Sequence, residues 1–150
     1  MTSDSVSDRL DISDLLDTYA RGIDGKDWDL VTSVFAPDAT LDYTAFGGPK
    51  GGRDEIIQWI SASVSAFPMT QHHITNRTFT IDGDTATSAA ELFAPMGMAA
   101  GDGKMTMLFT GGVYNDTYRR TPEGWKISTR VCDRAWLGAG PEASGPNSPA

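Results

Sequence analysis

The apolar residues of this chain change their period once, near Pro68, and that change limits the fold more than any other feature. Before Pro68 they recur at helical spacing; after it they fall in long β-rich runs. In SVSDRLDISDLLDTYARGID, the residues Ile12, Leu15, Leu16, Tyr19, Ala20 and Ile23 make one helical stripe, with Ser7 or Asp8 placed to cap its start. GKDWDLVTSVFAPDA reads as a second, short helix with Asp27 as its cap and Pro37 beyond its end. TLDYTAF is expected to be a strand, followed by the glycine-rich loop GGPKGG. RDEIIQWISASVSAF predicts a third helix, with Ile56, Ile57, Ile60, Val64 and Phe67 facing inward.

Four β-rich runs follow, around Gln71–Ile81, Thr85–Pro95, Lys104–Arg119 and Trp125–Trp136. DGD at Asp82–Asp84 and TPEG at Thr121–Gly124 are hairpin turns, and MAAGDGK is a looser connection. Helices first and then a meander of strands imply an α+β layer structure. Gly111–Gly112 inside a long strand permits a sharp bend. The expected architecture is a cone-shaped, strongly bent antiparallel sheet closed by three N-terminal helices, an α+β barrel spanning residues 1–137. The remaining GAGPEASGPNSPA, residues 138–150, has almost nothing to bury and is expected to be a flexible tail.

Composition narrows the function. A length of 150 residues suits one domain with a real core. A net charge of −8 opposes nucleic-acid binding and attraction to anionic membranes. No apolar run approaches the length of a membrane span, and the polar, acidic start has no signal-peptide pattern. The single Cys132 excludes an intrachain disulfide and a cysteine-based zinc site. The expected protein is cytoplasmic, with no nucleic-acid or membrane partner.

The only two histidines, His72 and His73, are adjacent within MTQHHITNRTF. Strand neighbours point to opposite faces, so at most one looks into a cleft. Simple alternation groups His73 with Phe79 and Ile81 and so favours His73 as the inward one; a bulge would reverse this. Asp24 ends the first helix, where a carboxylate is a poor partner for the negative end of the helix dipole. Orienting an imidazole is one explanation, since an Asp–His pair makes a general base. Tyr19 reads as core packing with its hydroxyl at the edge, and Tyr43, Tyr114 and Tyr118 compete with it as hydroxyl donors. GGPKGG lacks the Gly-Lys-Ser/Thr ending of a phosphate loop. Two adjacent histidines with scattered carboxylates make a weak metal case, so no metal is expected. Met96, Met98, Met105 and Met107 suit the lining of an irregular apolar pocket.

The order of elements, YARGIDGKDWDLVTSVFAPDATLDY, the His-x-x-x-Asn of His72–Asn76 and the closing YRRTPEGWKIS resemble the SnoaL-like branch of the nuclear transport factor 2-like superfamily. The resemblance runs from about Asp8 to Leu137. It implies a cone whose interior is the ligand site. Within that branch the chain is similar to three cofactor-free lyases: bile-acid 7α-dehydratase, scytalone dehydratase and hexachlorocyclohexane dehydrochlorinase. The resemblance places their aspartate on Asp24 and their histidine on His72, not His73. It places the bile-acid enzyme's tyrosines on Tyr19 and Tyr43 and its late arginine near Arg134, and the dehydrochlorinase arginine on Arg130. A second pocket histidine of scytalone dehydratase is replaced by Met96, and an extra aspartate of the bile-acid enzyme by Ala94.

The resemblance therefore implies a lyase, most simply a dehydratase, acting on a mainly apolar cyclic small molecule. His72 is the expected base, Asp24 its orienting group and Tyr19 or Tyr43 the expected hydroxyl donor. Tyr43, Arg130, Arg134, Met96 and Tyr114 are the expected substrate contacts. Isomerase or cyclase chemistry with the same base, and a non-enzymatic binding module, are the alternatives. Apolar positions on the outward sheet face predict a homo-oligomer, and the resemblance favours a trimer.

Overall fold

A computed structural model describes residues 3–144, with side chains from 5 to 140. Three helices, α1 (Ser3–Gly25), α2 (Trp28–Ser33) and α3 (Arg53–Val64), pack on one side of a seven-stranded sheet. The strands are β1 (Phe35–Asp42), β2 (Lys50–Gly52), β3 (Met69–Thr70), β4 (His73–Asp82), β5 (Thr85–Gly101), β6 (Lys104–Thr121) and β7 (Gly124–Ser144). The sheet order is β2-β1-β7-β6-β5-β3, with β4 beside β3 on the same edge of β5. This is the expected α+β cone, strongly curved, with two corrections. The sheet is mixed, because β1 runs parallel to β7 with Leu41 opposite Arg130. It is also open rather than closed into a barrel.

The helical stripe of α1 buries as read. Ile12, Leu16, Tyr19, Ala20 and Ile23 lie in the core, and Leu15 packs at its edge. Each large apolar side chain of this kind adds about 1.5–3 kcal/mol when fully buried. The helix begins earlier than expected, so Asp8 does not cap it. Its carboxylate instead accepts from the Trp125 indole at 3.0 Å and from Arg120 at 2.9 Å, tying α1 to the β6–β7 hairpin. Asp27 does cap α2, accepting from the Leu30 amide at 3.0 Å. α2 stops at Ser33, and Phe35 already begins β1; Pro37 sits in the irregular stretch of the β1–β7 pairing. In α3, Ile56, Ile57, Ile60 and Val64 are buried, and Phe67 beyond it is half-buried.

Two connections differ from the sequence reading. MAAGDGK is a tight hairpin, with Gly101, Asp102 and Gly103 all at positive φ. β7 does not stop at Trp136. It continues to Ser144 and stays paired to β6, with Leu108 opposite Ala139 and Lys104 opposite Ser144. Residues 138–144, read as tail, therefore extend the sheet; 145–150 lie outside the described residues. No helix among the described residues is long and apolar enough to cross a membrane.

Candidate active site

Between α1, α3 and the concave face of the sheet lies a cavity of about 390 Å³. Tyr19 of α1, Trp59 of α3, Tyr43, Phe46, His72, Met96 and Tyr114 are among its lining residues. Apart from the imidazole of His72, the lining carries no ionisable acid or base other than phenols.

His72 occupies a break between β3 and β4 rather than the strand proper. Its backbone N–H donates to Asp24 Oδ2 at 2.8 Å, and its Nδ1 lies 2.7 Å from Asp24 Oδ1. The Thr70 hydroxyl also donates to Oδ1, at 3.0 Å. One carboxylate thus holds both the ring and the main chain of His72, leaving Nε2 for a ligand. The His72 side chain is 8% exposed. Burial pushes the Asp24 carboxyl upward, but the His72 ring and backbone hydrogen bonds, the His72 charge and Thr70 outweigh it. The net result is a carboxyl held below its ordinary value.

His73 points the other way, onto the convex face, where its ring lies 6.2 Å from that of Phe93. The reason is local. Ile74 faces the core opposite Leu92, and Thr75 faces out opposite Glu91. Asn76, at φ +50, and Arg77 then form a bulge before Thr78 pairs with Ala89. The extra residue returns Phe79 and Ile81 to the core side, so simple alternation counted back from them gave the wrong histidine.

The second half of the site is a cluster of phenols over a buried ion pair. The Tyr19 and Tyr43 hydroxyls are 2.8 Å apart. Arg130, fully buried, makes a long 3.5 Å contact to the Tyr43 hydroxyl. Its guanidinium lies 4.3 Å from the Tyr19 ring centroid and 4.0 Å from that of Tyr114. Asp116 accepts from Arg130 Nε at 2.8 Å and Nη2 at 2.7 Å, a two-pronged bond with both side chains at 0% exposure. Burial opposes the charge on Arg130, and the Asp116 carboxylate overrides it, so the arginine stays charged. Burial pushes the Tyr19, Tyr43 and Tyr114 phenols up. At neutral pH they are donors rather than bases. The Tyr19 hydroxyl is hydrogen-bonded to that of Tyr114 as well as to that of Tyr43, so the three phenols form one connected cluster.

Of the expected site residues, the structure brings His72, Asp24, Tyr19, Tyr43, Tyr114 and Met96 to this cavity or its immediate support. Arg130 lies behind the wall, touching Tyr43 and not lining the cavity. Arg134 is a correction. It is exposed, at φ +46 in the β6–β7 irregularity, beside Glu91 and Phe93 on the outer face. The extra residue there turns its side chain away from the interior. Asp116 was missed, although its alternation with Tyr114 and Tyr118 placed it on the inward face.

A cone of helices over a curved sheet is the nuclear transport factor 2-like fold. The chain belongs to the SnoaL-like domain family, whose profile matches residues 4–131. An uncharacterised protein of Mycobacterium tuberculosis, Rv2910c, is 44% identical over 126 residues, covering 84% of each chain. A candidate scytalone dehydratase from Novosphingobium aromaticivorans is similar in structure, with a TM-score of 0.75 at 18% identity over 100% of this chain and 99% of that one. The hexachlorocyclohexane dehydrochlorinase LinA-type3 of Novosphingobium barchaimii gives a TM-score of 0.73 at 19% identity over 91% and 92% of the two chains.

Proposed function

We propose that this protein is a cofactor-free lyase that removes water from a neutral, mainly apolar cyclic molecule. The observation that carries the reading is the Asp24–His72 pair on a cavity that also presents the Tyr19–Tyr43 phenols. His72 Nε2 takes a proton from a carbon next to a carbonyl. The C–H electron pair forms the new double bond, the C–O bond breaks, and the leaving hydroxyl takes the proton back from the His72 imidazolium to depart as water, which returns His72 to its neutral form. Asp24 fixes the tautomer and stabilises the imidazolium. A hydroxyl of the Tyr19–Tyr43–Tyr114 cluster donates to the carbonyl oxygen and stabilises the charge developing there. The names of the fold neighbours, a dehydrochlorinase and a candidate dehydratase, agree with elimination.

Isomerisation uses the same base, and one experiment separates the two. A panel of cyclic β-hydroxy ketones is incubated with the protein in D₂O and followed by NMR. Loss of water with formation of an enone supports the lyase. Deuterium entering the α-position, with a moved double bond and no loss of water, supports an isomerase. Neither exchange nor elimination with any member, while members bind, leaves a binding module.

The outer face supports self-association as the working form. Phe93, 42% exposed, stacks with Phe109 and Trp136 at 6.0 and 6.3 Å, and His73 extends the row. A contiguous aromatic patch of this kind marks a contact surface.

A further inference from the structure

The glycine-rich loop between β1 and α3 has a use beyond turning the chain. Gly47 makes the turn, at φ +76. Gly48 has no such backbone demand. It is small because the indole of Trp59 lies on it: a Cβ there would sit 2.6 Å from Cη2 and Cζ2 and 2.9 Å from Cε2. The same arrangement recurs on β6, where a Cβ at Gly112 would meet Phe46 Cζ at 2.9 Å. Trp59 and Phe46 both line the cavity, and both pack on Tyr43, with centroids 5.9 and 6.2 Å away. Two aromatic walls of the cavity are thus drawn back onto glycines.

We infer that Gly48 and Gly112 are specificity-determining residues: by seating Trp59 and Phe46 they hold the cavity open for a neutral ligand of two or three fused rings. A dry cavity of about 150 Å³ holds one benzene ring, and this one measures about 390 Å³. A methyl group at position 48 must push the indole away from the loop. The ring is stiff and the loop is its backrest, so the indole moves into the space the ligand uses. At Gly112 the Asp133 carbonyl is also close, at 3.0 Å, so a side chain there disturbs the sheet as well. Gly48 is therefore the cleaner position to test. The inference deepens the reading of the cavity as the substrate site and does not depend on His72 acting as a base.

The test uses three neutral ketones of rising size, cyclohexanone, 2-decalone and perhydroanthracen-9-one, titrated by calorimetry or ligand-observed NMR. The native protein is expected to bind the two- and three-ring ketones more tightly than cyclohexanone. Gly48→Ala is expected to weaken the three-ring ketone at least 10-fold and to leave cyclohexanone within 3-fold. Adding Trp59→Phe, which removes the carbons that collide, is expected to restore the larger ligands. Equal weakening of all three, no change, or a Gly48→Ala structure with Trp59 unmoved overturns the inference. If Gly48→Ala fails to fold, Trp59→Phe alone decides: it must favour the three-ring ketone over cyclohexanone relative to the native protein. His72→Ala keeps the two ideas apart, because it must leave the size order intact even where it abolishes turnover.

Discussion

Asp24 bonds to His72 twice, through the ring nitrogen at 2.7 Å and through the backbone amide at 2.8 Å. A carboxylate that only oriented an imidazole would need the first bond alone. The second replaces the sheet hydrogen bond that His72 gives up in the gap between β3 and β4. Asp24 therefore sets where the residue sits as well as how its ring turns.

His72→Ala and Asp24→Asn should each lower turnover of a responsive substrate by about 10²–10⁴-fold. The double variant should be scarcely slower than either single one, because the pair works as a unit. Steady-state kinetics on the three proteins checks this, and losses that simply multiply would show that the two residues act separately.

Asp116→Asn should destabilise the fold by about 3–5 kcal/mol, since it strands a buried guanidinium. Replacing both partners, Asp116→Leu with Arg130→Met, should cost clearly less than the single change. Urea unfolding of the two variants gives the comparison. A single change that costs under 1 kcal/mol would mean that water reaches Arg130.

Acid should weaken the fold in a definite window. The folded Asp24 carboxyl titrates below its ordinary value of 3.8, so its contribution is complete above that value and drains away as pH falls through the lower, folded one. Asp8 behaves the same way, held down chiefly by the Trp125 indole and helped by Arg120. Urea midpoints measured downward from pH 6 should therefore drop near and below pH 4, and the drop should be shallower in Asp24→Asn. An unchanged slope in that variant would contradict the assignment.

The protein should run as an oligomer in light scattering at micromolar concentration, with a trimer expected from its resemblance to the dehydratases. Phe93→Lys, at the centre of the outer aromatic row, should reduce the mass to that of one chain while leaving the circular dichroism spectrum unchanged. A native protein that scatters as a monomer would remove the idea.

Much of this was legible in the residues. The α1 stripe, the Asp27 cap and the inward face of α3 follow from local spacing, and local spacing decides helices. The facing of the histidines did not follow, because alternation is a rule about unbroken strands. A gap before His73 and an extra residue at Asn76–Arg77 break it. Resemblance carried the correct facing where periodicity did not. Asp116 was hidden for another reason. A lone aspartate on a strand reads as solvent-facing until its partner is found, and Arg130 lies 14 positions away. The pairing of residues 138–144 with β6 was not legible because glycine was counted only as slack. Gly140 is a seat: a Cβ there would come within 2.2 Å of the Phe109 ring.

The bulge at Asn76–Arg77 also divides β4 into two lengths that keep separate count. On one side are His73 and Ile74, with His72 just before them; on the other, Phe79, Ile81 and the turn at Gly83. The outward aim of His73 is thus set by the residues on its own side of the bulge, and the inward facing of Phe79 and Ile81 by those on the other, as a joint lets two parts of one linkage point independently.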